Sequence, residues 1–252
     1  MMEPVSVVCM RWGTLYPPVY VNKLYQMVKR HLKRPFTFYC VTDDSTDLLK
    51  EVKVVPMPEI YVSPEDKVWG WRKLGVFSRE MPFKGQVLFL DLDLVILDSI
   101  DSFFNFKGQF MIIENWSQRG RGIGNSSVFC FEAGTCHNVF DTYMENPQEV
   151  MRSYISEQLF ISKTVAPGLL HFWPDGWCQS FKRHCVPSRF LRFKRVSMPL
   201  DAKILVFHGN PKPPDVIAGK WPGCWPPLMR KISWLENYWG AAPPLDSRRK
   251  VA

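Results

Sequence analysis

The sequence contains no hydrophobic run that approaches the roughly 20 residues needed to cross a bilayer. It also has no internal repeat and no low-complexity segment, which argues against solenoid and fibrous architectures. The amino terminus, MMEPVSVVCMRWG, lacks the basic segment of a signal peptide and leads directly into a strand-like pattern. We therefore expect a cytoplasmic protein, with at most peripheral contact to the inner face of a membrane.

Paired cysteine motifs are also missing. The seven cysteines are scattered along the chain and none forms a C-x-x-C pair. An odd number of dispersed cysteines is typical of reduced, buried thiols in a cytoplasmic protein. A zinc site formed by Cys178, His184 and Cys185 is an alternative, but their spacing matches no standard zinc motif.

What the chain does contain suits a globular enzyme-sized domain. It has 252 residues, of which 46% are hydrophobic and 22% charged, enough for a substantial core. Aromatic residues make up 14%, including 10 Trp. Exposed aromatics are common in sugar-binding sites, but a Trp-rich core is the simpler interpretation.

Positive charge is concentrated near the carboxyl terminus. The net charge is +8, yet residues 1–181 carry −2 and residues 182–252 carry +10. This region is either a solvated basic face or a patch for anionic headgroups, an acidic acceptor or nucleic acid. The segment KRHCVPSRFLRFKR interleaves basic and aromatic residues, but no nucleic-acid motif accompanies it, so we expect no nucleic-acid partner.

Strand and helix patterns alternate over the first half of the chain. Apolar, β-branched runs predict strands, and apolar positions spaced three and four apart predict helices. The predicted strands are 5–12, 36–44, 52–56, a run ending at Asp91, 110–114, 126–132 and 203–209. The predicted helices are 17–32, 69–81, 136–146, 156–165 and a last short one within 225–240. This order predicts an α/β domain with a mostly parallel sheet, helices on both faces and a less regular carboxyl-terminal part.

Two aspartates interrupt one of the most apolar stretches, GQVLFLDLDLVILDSID. A buried carboxylate is costly unless it is paired, hydrogen-bonded or bound to a metal. Asp91 follows a hydrophobic strand, and open α/β sheets bind ligands at the carboxyl ends of their strands. Two neighbouring carboxylates favour a hard cation such as Mg²⁺ or Mn²⁺, although D-x-D alone is a weak signal.

Four other segments carry polar residues beside apolar ones. In VFHGNPKPPD a strand delivers His208, a natural metal ligand, followed by Gly209 and by Lys212, which could neutralise a phosphate. The remaining candidates are polar residues next to predicted helices or strands. They are Lys73 in WRKLGVF, Asn125 and Ser126 in GIGNSSVFCFE, and Glu157 and Gln158 after the N-cap candidate Ser156.

Taken in order, these motifs resemble the retaining nucleotide-sugar glycosyltransferases that include glycogenin and bacterial lipopolysaccharide glucosyl- and galactosyltransferases. The resemblance covers about residues 5–215 and rests on five short motifs in the same order. They are K-L, D-x-D after an apolar strand, N-S-S-V-F, E-Q-L and H-G-x-x-K-P. The resemblance implies a single Rossmann-like domain of the GT-A type. It also implies a nucleotide-binding half over 1–115, a donor-sugar and acceptor half over 116–215, and a basic tail over 216–252.

The resemblance assigns roles to particular residues. Asp91, Asp93 and His208 would hold Mn²⁺ or Mg²⁺ on the diphosphate of a UDP-sugar. The residues at the donor sugar, with catalytic roles, would be Asn125, Glu157 and Gln158. The further donor-binding residues would be Trp12, Asp44, Lys73, Ser126, Gly209 and Lys212, with Trp12 and Asp44 near the uridine. The acceptor would be a glycan, a lipid-linked molecule or a protein.

The sequence departs from this family at three places. The loop after the first strand reads MRWGTLY, where the family usually supplies a small polar residue and a tyrosine. Glu157 stands where the family commonly has aspartate, which is one methylene shorter. Lys212 is followed by P-P-D rather than P-W.

Two functions of other classes fit part of the sequence. A phosphatase of the haloacid-dehalogenase type uses D-x-D after an apolar strand as nucleophile and acid, but that motif normally opens the chain. A non-catalytic module could instead bind anionic partners through the basic carboxyl-terminal region.

Overall fold

The structure is a computed structural model, and it describes residues 3–63, 70–186, 196–222 and 231–240. The chain forms two compact units. The first comprises the described residues of 1–22, 34–92 and 101–174, and the second those of 23–33, 93–100 and 175–252. Asp91 therefore belongs to the first unit and Asp93 to the second.

Seven strands form the sheet of the first unit, in the order β3-β2-β1-β4-β7-β6-β8. Four of its six strand pairings are parallel, and β7 runs antiparallel to both of its neighbours. The predicted mostly parallel α/β sheet is therefore confirmed. The strands are β1 (Val5–Arg11), β2 (Phe36–Thr42), β3 (Lys53–Pro56), β4 (Gln86–Leu90), β6 (Phe110–Glu114), β7 (Gly124–Glu132) and β8 (Leu170–Phe172), whereas β5 (Leu94–Ile96) belongs to the second unit.

The central strands are buried on both faces and largely apolar. Every residue of β1 and β4 is buried, which is why their sequences read as continuous hydrophobic runs rather than as alternating patterns. Aromatic rings extend this core, and the rings of Phe89 and Phe129 stack with centroids 4.7 Å apart. Polar side chains that could form a site are therefore expected at the ends of these strands.

One edge of this sheet collects those polar ends. Strands β2 and β4 flank β1 and run parallel to it, so Arg11, Thr42 and Leu90 end at the same edge. Because β7 is antiparallel to β4, it begins at that edge with Gly124. Strands β2 and β3 lie on one side of β1, and β4 lies on the other side, so the strand order reverses direction at β1. Open α/β sheets bind their ligands at such a reversal, the topological switch point.

The helices follow the predicted pattern with one difference in type. Helix α1 (Pro18–His31) matches its prediction closely, as do α2 (His137–Glu145) and α4 (Glu157–Thr164), while α3 (Pro147–Ser153) was not predicted. The predicted helix 69–81 is instead a 3-10 helix over Trp71–Phe77, with 64–69 outside the described residues. Trp71, Leu74 and Phe77 are all buried, and this spacing of three places them on one face of a helix with three residues per turn.

The second unit contains a smaller sheet, ordered β5-β10-β9. It fits the prediction of a less regular carboxyl-terminal part. Its elements are β5, β9 (Cys178–Ser180), a π-helix (Phe181–Cys185), β10 (Ile204–Val206), α5 (Pro213–Ile217) and α6 (Ser233–Trp239). In the described ranges, no helix is both long enough and apolar enough to cross a membrane.

Candidate active site

In the first unit, Lys73 joins three of the predicted site residues. Its Nζ lies 2.8 Å from Asp91 Oδ1 and donates to the Ser126 carbonyl at 3.1 Å and the Ser126 Oγ at 3.2 Å. Glu157 Oε1 lies 3.9 Å from the same ammonium group. In the sequence Lys73 looks like a surface charge, but it is only 6% exposed. Its ammonium group instead neutralises the Asp91 carboxylate.

Glu157 is fixed by two neighbours. Ser126 Oγ donates a 2.7 Å hydrogen bond to Glu157 Oε1, and both residues are buried. Gly70 lies against the same carboxylate, because a Cβ at residue 70 would be 2.3 Å from Glu157 Cδ and Oε2. The extra methylene of glutamate is thus accommodated where Gly70 has no side chain.

The Gly70 contact makes a testable prediction. The backbone of Gly70 (φ −83°, ψ −17°) suits any residue, so Gly70→Ala should act through the clash with Glu157 alone. We expect a loss of about 1–3 kcal/mol in the free energy of unfolding, measured by urea denaturation. Glu157→Asp in the same chain should restore most of it by withdrawing the carboxylate. Equal instability of the single and double variants would contradict this account.

Asn125 and Gln158 form a second predicted pair. Asn125 Nδ2 donates to Gln158 Oε1 at 3.3 Å, while Asn125 Oδ1 accepts from the Ser127 N–H at 3.2 Å. Asp91 N–H in turn donates to the Ser127 carbonyl at 2.9 Å. Six predicted site residues from four chain segments are therefore connected at the carboxyl edge of the sheet. They are Lys73, Asp91, Asn125, Ser126, Glu157 and Gln158.

The two residues predicted near the uridine are held at the ends of β1 and β2. Arg11 is buried and donates to the Tyr16 carbonyl at 2.9 Å and the Asp44 carbonyl at 2.6 Å. The Thr46 hydroxyl and N–H, and then the Arg11 guanidinium, hold the pKa of Asp44 below its usual value. Trp12 packs partly against the core. Arg11, the last residue of β1, thus connects the loop that follows β1 to the segment that follows β2.

In the second unit, Asp93 pairs with Lys212. The Lys212 ammonium donates to Asp93 Oδ2, and both side chains are mostly buried. The Asp93 carbonyl accepts from the Phe207 N–H at 2.9 Å, which fixes the segment before His208. The two aspartates that seemed misplaced in an apolar run are each neutralised by a lysine within their own unit.

His208 is held by a buried serine. Its Nε2 lies 2.7 Å from Ser180 Oγ, which is fully buried. Burial first, then Lys182, Arg183 and Lys212, lower the pKa of His208 to about 4. The imidazole is therefore neutral at pH 7, the form that binds metals, and a hydrogen bond to one ring nitrogen orients the ring.

The residue types predicted for a cation suit Mn²⁺ or Mg²⁺, since two carboxylates and a neutral imidazole are ligands of such ions. Within the residues that the structure describes, however, no group of three or more His, Cys, Asp and Glu is assembled for a metal. The same finding applies to the zinc alternative of Cys178, His184 and Cys185. Burial raises the pKa of Cys178 well above its usual value and that of Cys185 to about 12, which disfavours the thiolate form that binds zinc. The aspartates instead contact lysines, so the metal site stays a prediction.

A separate cavity of about 390 Å³ lies at the opposite edge of the first unit's sheet. It is lined by residues at the start of β4 and the end of β7, including Gly85 and Phe131. None of the predicted site residues lines it. The connected polar residues of the first unit lie instead at the carboxyl edge of its sheet.

The fold is that of the GT-A glycosyltransferases. One similar solved structure is the galactosyltransferase LgtC in complex with donor and acceptor sugar analogues, with a TM-score of 0.63 and 12% identity over 96% of this chain and 98% of that one. The apo structure of the bifunctional glycosyltransferase WbbM gives a TM-score of 0.57 and 10% identity over 84% of this chain and 47% of that one. The glycosyltransferase GlyE of Streptococcus pneumoniae gives 0.54 and 13% over 83% and 56%.

No protein-family model matches the sequence, and no curated protein matches it. At 10–13% identity the solved structures establish the fold, whereas function depends on the residues of the site.

Proposed function

We propose that this protein is a metal-dependent hexosyltransferase that moves a sugar from a UDP-sugar to the hydroxyl of an acceptor, with retention. The acceptor would be a glycan, a lipid-linked molecule or a protein. The observation that supports this most strongly is the connected cluster around Lys73 and Ser126. It gathers six residues to which the resemblance gives roles in metal binding, donor binding or catalysis, at the sheet edge where such ligands bind.

The transfer breaks the bond between the sugar C1 and the diphosphate oxygen and forms one between C1 and the acceptor oxygen. In the retaining reaction the acceptor attacks from the face of the leaving group, and a phosphate oxygen takes its proton. Positive charge builds up on the sugar ring as the diphosphate departs. Negative charge builds up on the diphosphate at the same time. Protein groups that are already positioned to stabilise these two charges lower the barrier.

The residues of the cluster and the other predicted site residues each have a role in this reaction. A cation held by Asp91, Asp93 and His208 would stabilise the negative charge of the departing diphosphate. Lys73 orients Asp91 through their ion pair and also donates to Ser126, which in turn donates to Glu157. Asn125 fixes the Gln158 amide, which would face the sugar ring. Trp12 and Asp44 would contact the uridine.

The test is consumption of sugar nucleotides by the full chain. UDP-glucose, UDP-galactose and their N-acetyl forms should each be incubated with Mn²⁺, and the released UDP measured by chromatography. We expect UDP release with at least one donor, loss of release with EDTA and recovery with added Mn²⁺. Retention predicts that an α-linked donor gives an α-glycoside with a small alcohol, as read by NMR. No release from any of these donors would contradict the proposal.

The same assay separates the alternatives. A phosphatase would release phosphate from p-nitrophenyl phosphate without any sugar nucleotide. Its D-x-D motif normally opens the chain, whereas here the strand before Asp91 is β4. Contact with a cytoplasmic membrane face predicts salt-sensitive binding to anionic vesicles and no binding to neutral ones. That prediction rests largely on basic residues of 187–195, which lie outside the described residues.

A further inference from the structure

Lys182 lies at the carboxyl edge of the second unit's sheet. Strands β9 and β10 are parallel and pair Ser180 with Val206, so the residues that follow each strand begin side by side. Lys182 follows β9 in the π-helix, and the loop with His208 and Gly209 follows β10. The 2.7 Å contact between Ser180 Oγ and His208 Nε2 joins the two segments.

The Lys182 ammonium group occupies space that a side chain at residue 209 would fill. A Cβ on Gly209 would lie 3.1 Å from Lys182 Nζ, and the positive φ of Gly209 (+68°) itself favours glycine. Gly209 thereby lets the Lys182 ammonium reach the loop that carries His208 and Lys212.

Among the described residues around this loop, basic groups outnumber acidic ones, because Lys182, Arg183 and Lys212 all act on His208 while the acidic groups are Asp93 and Asp215. Burial, and then electrostatic repulsion between the two ammonium groups of Lys182 and Lys212, lower the pKa of Lys182. Asp93 attracts Lys182 but already pairs with Lys212, and Asp215 accepts from the Lys212 backbone N–H at 2.9 Å. Partly buried like charges are unfavourable on their own, so this arrangement is suited to an anion that carries more than one charge.

We infer that Lys182 and Lys212 together bind a diphosphate, and that Lys182 is a second phosphate ligand of the donor. The inference rests on the proposed function for the identity of the ligand. The Lys212 ammonium already donates to Asp93, so a second ammonium group supplies further donors for the two phosphates. Lys182 thus adds positive charge where the leaving group departs.

The experiment compares Lys182→Met with Lys182→Arg and with Lys220→Met, which removes one exposed charge from the same unit. Methionine keeps the apolar stem of lysine, and thermal unfolding checks that the fold is intact. Calorimetric titration measures the dissociation constants of UDP, uridine and pyrophosphate in the presence of Mn²⁺. We expect Lys182→Met to weaken UDP and pyrophosphate binding roughly tenfold and to leave uridine unchanged, with Lys182→Arg and Lys220→Met close to the wild type.

The outcomes separate this inference from the proposed function. If the wild type binds pyrophosphate but not UDP, and Lys182→Met still weakens pyrophosphate, the two-lysine site stands and the UDP-sugar proposal falls. If UDP binds and Lys182→Met changes neither ligand, the inference is wrong while the proposed function stands. Failure of the wild type to bind either ligand would overturn both.

Discussion

Asp91→Asn and Asp93→Asn should each reduce Mn²⁺-dependent release of UDP about 10²- to 10³-fold. Asparagine keeps the shape of the side chain but removes the charge that a divalent cation requires, and the loss of one preorganised electrostatic group typically costs this much in rate. Release of UDP under saturating donor and Mn²⁺ gives the comparison.

Asp201→Asn is the matched control, since Asp201 is an exposed aspartate of the second unit. It should retain the wild-type rate. Full activity in either Asp91→Asn or Asp93→Asn would remove the metal from the account, even if the transferase activity itself were present.

Lys73→Met is expected to have the largest effect on stability. It leaves Asp91 and Glu157 without their shared ammonium group in a mostly buried place, where Asp91 is 23% exposed at its side chain. Removing one partner of a buried ion pair costs about 3–5 kcal/mol, and we expect the lower end because Asp91 retains some contact with water. Urea unfolding of the variant and the wild type measures the loss.

Two further variants sharpen this test. Lys107→Met removes a lysine from an exposed pair with Glu3 and should leave the unfolding midpoint unchanged. Glu157→Gln added to Lys73→Met should recover part of the stability, because one uncompensated carboxylate is removed with it. If Lys73→Met unfolds at the wild-type midpoint, Lys73 does not neutralise the aspartate.

The hydrophobic runs predicted the sheet well because β1 and β4 are buried on both faces, an environment that apolar residues fill with few polar exceptions. The same rule misled at one place. The run around the two aspartates continues apolar on both sides, yet the structure places Gln86–Leu90 in the first sheet and Leu94–Ile96 in the second. The three residues between them connect two different strands, which apolar composition alone does not reveal.

The partners within the site were harder to predict than its members. Short motifs indicated Lys73, Ser126 and Glu157 separately, but their contacts join residues 31 or more positions apart. Gly70 carried no motif, and Lys182 was indicated only as part of the basic segment KRHCVPSRFLRFKR. The roles of these two residues become visible only in the structure, where Lys182 lies against Gly209 and Gly70 lies against Glu157.

The most direct test of the central claim is anomalous diffraction from Mn²⁺ in crystals of the protein grown with UDP. We expect an anomalous peak bonded to Asp91, Asp93 and His208, with the UDP diphosphate beside Lys212 and the uracil near Trp12 and Asp44. Well-ordered UDP bound away from these residues, or UDP bound at them without an anomalous peak, would contradict the account.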